Sequence, residues 1–308
     1  MKLKLPLDML YHWEQSTPST VYLRQPINGV FEEYTWADTA NLARRIASSL
    51  LALDLPPGSR IAILSKNCAE WFITDLAIMM AGHISVPIYF TAGNDTISYV
   101  LEHSGSQAIF LGKLDDMSSQ LEAVPDSLIK ISFPYEVAPN SIHWEQLLTQ
   151  PPLADTIERL PDDTMSIIYT SGSTGKPKGI VTSFRAFAWS CQALQEKIPV
   201  TPSDRVMSYL PLAHITERIY IEGSSLYNGN SVSFVESLDS FTNDIQTIKP
   251  TLFLSVPRLW IRFQMGILAN ISQRKLNLLL KIPFLNNVLA RKIRQKLGLD
   301  QTFIWGSG

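Results

Sequence analysis

The sequence predicts an α/β fold organised on parallel strands, and three observations carry that prediction. Between residues 60 and 111, short apolar runs alternate with helical periods in the order strand, helix, strand, helix, strand, which fits a parallel sheet covered on both faces. Near the middle of the chain the apolar run Ile167-Ile168-Tyr169 feeds a stretch of glycines, hydroxyls and lysines, and the chain then turns apolar again. At 308 residues, 45% hydrophobic and 18% charged, the chain is long enough for two α/β subdomains, expected over 1–160 and 161–308.

The elements follow in order. Thr35 with Asp38 three residues on reads as a capping box opening a helix with Leu42, Ile46, Leu50 and Leu53 at helical spacing. After the turn Pro56-Pro57-Gly58, Arg60 to Leu64 reads as a buried strand. Asn67 is the expected cap of a helix from about Ala69 to Met80, ended by Gly82. Ser85 to Tyr89 is the next strand, Ile97 to His103 a helix and Ala108 to Leu111 a strand. Residues 112–160, rich in proline, read as a connecting region in which Ile142, Trp144, Leu147 and Leu148 still pack. Beyond the central glycine-rich stretch, Phe184, Phe187, Ala188, Cys191 and Leu194 mark the core side of a helix.

The central stretch, Thr170-Ser171-Gly172-Ser173-Thr174-Gly175-Lys176-Pro177-Lys178-Gly179, has the composition of a phosphate loop. Glycines let an anion approach backbone N–H groups, hydroxyls add donors and the two lysines add charge. Two common phosphate motifs are excluded by spacing. Gly172 and Gly175 stand too close for G-x-x-x-x-G-K-[ST], Pro177 follows the lysine where a hydroxyl is needed, and G-x-G-x-x-G is not met. Pro177 instead biases Lys176 to an extended form leading into a strand.

Further on, a strand ending at Pro211-Leu212 leaves His214, Glu217 and Arg218 at the start of a helix, spaced to share one face. His-x-x-Glu is half a metal motif with no third ligand spaced to complete it, so no metal centre is expected from the protein. Cys68 and Cys191 are the two cysteines, in no C-x-x-C, which fits a reducing cytoplasm. No apolar run approaches the ~20 residues of a membrane-spanning helix.

Charge is unevenly spread: residues 1–244 carry 16 Lys/Arg against 27 Asp/Glu, and residues 245–308 carry 10 against 1. The leucine-rich region 258–299 holds no Asp or Glu. Such a pattern ordinarily reads as helices packed on the protein with a solvated basic face. Peripheral contact with an anionic membrane is the alternative.

Tyr169 to Gly179, Y-T-S-G-S-T-G-K-P-K-G, resembles the phosphate-binding signature of the adenylate-forming superfamily, which includes acyl-CoA synthetases, luciferases and the adenylation domains of peptide synthetases. L-P-L-A-H-I-T-E-R, Leu210 to Arg218, is similar to a second signature of the long-chain fatty acyl-CoA synthetase branch, and Phe253 to Trp260 to that branch's V-P-R segment. Thr302 to Gly308 resembles the beginning of the adenine-binding segment.

The resemblance implies two parallel-sheet α/β subdomains of the large N-terminal domain, incomplete at the C-terminus. It implies that Thr170, Ser171, Gly172, Ser173, Thr174, Gly175, Lys176 and Lys178 contact the β and γ phosphates of ATP, and that Gly306 and Gly308 begin the adenine loop. His214 would border the carboxylate, with Glu217 and Arg218 supporting that wall. ATP, CoA and Mg2+ are the implied cofactors, and a fatty acid, not nucleic acid, the implied partner. The Y-G-x-T-E segment, the ribose-binding aspartate, the hinge and the small C-terminal domain with its lysine fall outside these residues. An N-terminal portion of a fatty acid–CoA ligase, inactive alone, is therefore expected. A non-catalytic nucleotide- or acyl-binding protein is the competing expectation, and a fatty acyl-AMP ligase or aryl-CoA ligase the alternative within the enzyme class.

Overall fold

A computed structural model describes residues 3–170 and 175–307 of the chain. Ser171, Gly172, Ser173, Thr174 and Gly308, all expected in the nucleotide site, lie outside the described residues.

Among the described residues the strands run, in chain order, β1 Val21–Ile27, β2 Val30–Thr35, β3 Arg60–Leu64, β4 Ile84–Ile88, β5 Ser106–Leu111, β6 Ile129–Ser132, β7 Ile142–His143, β8 Thr164–Thr170, β9 Lys178–Ser183, β10 Arg205–Ser208, β11 Ser231–Phe234, β12 Leu252–Ser255 and β13 Ile304–Ser307. They form a seven-stranded sheet in the order β7-β6-β5-β3-β4-β8-β9, a four-stranded sheet β10-β11-β1-β2 and a pair β12-β13. The large sheet is parallel except for β9, which runs back along β8 as a hairpin.

The strand period explains how both faces are covered. Ile61, Ile63 and Phe110 enter one apolar cluster while Ala62, Leu64, Ile109 and Leu111 enter another. Between the two larger sheets lies the helix Ala69–Met80, buried along its whole length. Its Phe72 meets Phe234 of β11 edge to face with ring centroids 5.1 Å apart. A helix so largely apolar belongs in such a position, its buried Glu70 and Asp75 being paired with Tyr135 and Arg218.

The capping box forms as the sequence predicts. Thr35 accepts from Asp38 N at 3.1 Å while the Asp38 carboxylate accepts from Thr35 N, opening the helix Trp36–Ala52. Such a cap contributes about 1 kcal/mol.

Three expectations change. Asn67 does not cap the next helix: Cys68 occupies the cap position, Ala69 N donates to Gln25 Oε1 instead, and the Asn67 amide turns elsewhere. The region 112–160 is no mere connection, because β6 and β7 extend the large sheet and bury Trp144 and Leu147 beside them. Nor does residue 160 separate the sheets: the β8–β9 hairpin joins the sheet of residues 60–143, while β1 pairs with β11. Two crossovers of the chain thus tie the sheets together.

Candidate functional site

The central glycine-rich stretch joins β8 to β9, so its flanks project from the end of a parallel strand, where ligands of α/β sheets ordinarily gather. Gly175 has φ of 100°, a backbone region that disfavours side chains, and is exposed. Gly179 serves a different purpose: a Cβ there would come within 2.9 Å of Ile167 and 3.1 Å of the Tyr169 ring, so glycine lets β9 lie flat on β8. Lys176 and Lys178 are exposed, and neither is held in an ion pair among the described residues. Two free cations beside backbone N–H groups suit a polyphosphate.

Beside this loop lies a cavity of about 370 Å³, bounded by Pro87, Tyr89, Thr96, Tyr169, Thr170 and Gly175 among others. Its wall is the helix Asn94–Ser104, whose side chains touch the loop flanks. Lys176 Nζ sits 5.2 Å from the centre of the Tyr99 ring, Tyr99 stacks on His103, and His103 Nδ1 shares a 2.8 Å hydrogen bond with the Tyr169 hydroxyl. Burial raises the Tyr169 pKa above the ordinary phenol value, so the hydroxyl stays protonated. His214 is not among the residues lining this cavity.

His214 caps the first turn after β10. Its Nδ1 accepts from Thr216 N at 3.1 Å, which leaves Nε2 to carry the proton of the neutral ring, and the side chain is exposed. Glu217 and Arg218 do not share that exposure; both turn inward. Glu217 Oε1 accepts from Ser208 Oγ at 2.8 Å, Tyr209 N at 3.0 Å and Asn67 Nδ2 at 3.3 Å. Asn67 also donates to the Leu210 carbonyl, so Asn67 and Glu217 clamp the turn that carries His214. Burial pushes the Glu217 carboxyl up to about 8, the Ser208 and backbone hydrogen bonds opposing it.

Arg218 is fully buried. Its Nη2 lies 2.7 Å from Asp75 on the central helix and its Nε 3.0 Å from Glu222, while Trp71 and Phe187 flank the guanidinium at 5.1 and 6.0 Å. Burial would depress its pKa, but Asp75 and Glu222 outweigh burial and raise it. Burial also lifts the Glu222 carboxyl well above the usual range, with the Arg218 charge opposing it. Arg218–Gly223 is wound as a π-helical segment, a rare geometry that places Arg218 and Glu222 on the same buried side. Arg218 also reaches Ser85 on β4 at 3.5 Å, and Ser85 stands opposite Ser166 of β8. The histidine turn and the strand feeding the phosphate loop are therefore anchored on common residues.

Asn67, Asp75 and Glu222 carry no motif that sequence reading could use, because each acquires its partner from more than a hundred residues away or from a π turn. Gly306 lies on β13 opposite Leu254, where a Cβ would approach Leu254 Cδ1 to 2.6 Å. No cluster of three or more His, Cys, Asp or Glu able to hold a metal occurs among the described residues.

A family model described as AMP-binding enzyme matches residues 10–298. The peroxisomal long chain acyl-CoA synthetase 7 of Arabidopsis thaliana is 29% identical, over 98% of this chain and 48% of that protein. Fatty acyl-CoA synthetase A of Dictyostelium discoideum is 33% identical, over 71% of this chain and 35% of its own length. The chain thus spans less than half the length of these relatives. The adenylation domain of a carboxylate reductase from Mycobacterium chelonae superposes with a TM-score of 0.81 at 20% identity, over 99% of this chain and 54% of that one. ATP-bound MatB from Rhodopseudomonas palustris gives 0.74 at 18%, over 99% and 55%. These structures share the α/β fold of the N-terminal adenylation domain.

Proposed function

Because the chain belongs to the AMP-binding enzyme family, we propose that it supplies the phosphate-binding and carboxylate-facing part of an AMP-forming acyl-CoA ligase for long-chain fatty acids. The fatty acid carboxylate attacks the α phosphorus of ATP, the bond to the β phosphate breaks and pyrophosphate leaves. The CoA thiolate then attacks the acyl carbon and AMP leaves.

The observation that carries this reading is the run Thr170–Lys178 at the mouth of the β8–β9 hairpin, with both lysines exposed beside a cavity. Lys176, Lys178 and the Thr170 hydroxyl hold the outgoing phosphates, each charged hydrogen bond contributing about 1.5–3 kcal/mol. His214, clamped through Glu217 and Asn67, faces the fatty acid carboxylate; Glu217 and Arg218 act through the backbone of that turn. Gly306 and Gly308 approach the adenine. Mg2+, when bound, would neutralise charge on the outgoing phosphates beside Lys176 and Lys178. The setting is a reducing cytoplasm, in keeping with Cys68 and Cys191, both buried free thiols.

Calorimetric titration of the chain with ATP tests the reading. Lys178→Ala should weaken ATP binding about tenfold, the loss of one charged hydrogen bond. Equal affinity in the variant removes Lys178 from the site.

A further inference from the structure

Lys176 takes a direction that its neighbours do not. Gly175 and Pro177 both line the cavity of about 370 Å³ beside the end of β8, whereas Lys176 between them does not. Its side chain lies instead over the helix Asn94–Ser104, with Nζ 5.2 Å from the centre of the Tyr99 ring. That helix also carries Asp95 and Glu102, yet Lys176 forms an ion pair with neither. A cation over an aromatic face is attracted by the ring quadrupole, so the ring itself holds the ammonium.

Tyr99 is held in turn. His103, one helical turn on, stacks on it with ring centroids 5.2 Å apart and planes 29° apart. His103 Nδ1 shares a 2.8 Å hydrogen bond with the Tyr169 hydroxyl, and those two rings meet edge to face at 5.7 Å. Tyr169 lies on β8, and its ring packs so close to Gly179 of β9 that a Cβ there would come within 3.1 Å. Contacts thus run from Lys176 through the helix and back to both strands of the hairpin that carries it. Lys178, on the other side of Pro177, has no aromatic partner among the described residues.

We infer that Tyr99, braced by His103 and Tyr169, is a dock that holds the Lys176 ammonium off the cavity until a polyphosphate draws it away, and receives it again when pyrophosphate leaves. The inference rests on the reading of this hairpin as the phosphate grip. Because the docked and the phosphate-bound positions of Lys176 exclude one another, the dock weakens ATP and pyrophosphate alike. A cation–π contact at an exposed position corresponds to a factor of about two to five in affinity.

Two measurements on the chain test it. In the first, without nucleotide, amine labelling read by mass spectrometry follows Lys176 in the parent, Tyr99→Leu and Tyr99→Phe. Tyr99→Leu should raise the Lys176 labelling rate about two- to fivefold and leave Lys178 as it was, while Tyr99→Phe, which keeps a ring, should label like the parent. In the second, calorimetric titrations with ATP and with pyrophosphate follow the same variants, each checked for native circular dichroism. Tyr99→Leu should tighten both ligands about two- to fivefold, Tyr99→Phe should match the parent, and Tyr99→Leu on the Lys176→Met background should change nothing further. Equal or weaker binding of ATP by Tyr99→Leu overturns the inference, as does a tightening that persists without Lys176. If the parent binds neither ATP nor pyrophosphate, the phosphate reading fails and the inference with it. Binding by a parent whose Lys176 labelling ignores Tyr99→Leu overturns the dock alone.

Discussion

Replacing Arg218 by Met removes one buried cation from between two carboxylates while keeping much of its stem volume against Trp71 and Phe187. Asp75 loses its 2.7 Å partner at 0% side-chain exposure, which leaves a buried carboxyl without its counter-charge. Breaking such a pair costs about 3–5 kcal/mol, a large share of the ~5–15 kcal/mol typical of a domain. Replacing all three members with apolar residues leaves no orphaned charge, so D75L/R218M/E222L should lose less than Arg218→Met alone. Urea unfolding followed by tryptophan fluorescence reads both, Trp71 lying beside the guanidinium. The reasoning is refuted if Arg218→Met falls within about 1 kcal/mol of the parent, or if the triple variant is the less stable of the two.

Glu217 predicts a pH dependence of known sign. The folded protein keeps its proton to about pH 8 whereas the unfolded chain releases it near its ordinary 4.5, so this stability is full below 4.5 and lost as pH rises towards 8. The full difference is on the order of 5 kcal/mol, and urea midpoints of Glu217→Gln across that window should show a correspondingly flatter slope. Gly175→Ala, at φ of 100°, should cost about 1–2 kcal/mol in the same unfolding assay. Gly266→Ala, inside the helix Pro257–Leu268 with nothing within 4 Å of its added Cβ, should instead stabilise by about 0.5–1 kcal/mol.

Local patterns carried the legible part of this fold. The alternation of residues 60–111, the Thr35–Asp38 box and the strand that follows Pro177 each depend on residues near one another in sequence, and each stands where those residues place it. What escaped depends on distant partners. The place of β1 beside β11 is set by the pairing Leu23↔Val232, across more than two hundred residues, and β2 follows it as the antiparallel neighbour. Asn67 looks like a helix cap from its neighbours alone, yet its amide donates to Ser208, Leu210 and Glu217, all more than a hundred residues away. Helical spacing put His214, Glu217 and Arg218 on one face, but it could not tell that Asp75 would draw Arg218 inward through a π-helical segment. The family resemblance found the motif; the side-chain directions came from packing.

In the proposed function the hairpin that carries Lys176 and Lys178 grips the phosphates of ATP. Amine labelling of the chain with and without ATP, read residue by residue by mass spectrometry, measures this at the two lysines themselves. ATP should shield Lys176 and Lys178 while Lys275 and Lys281 of the exposed basic helices react as before. Unchanged labelling of Lys176 and Lys178, or equal shielding of all four, would contradict it.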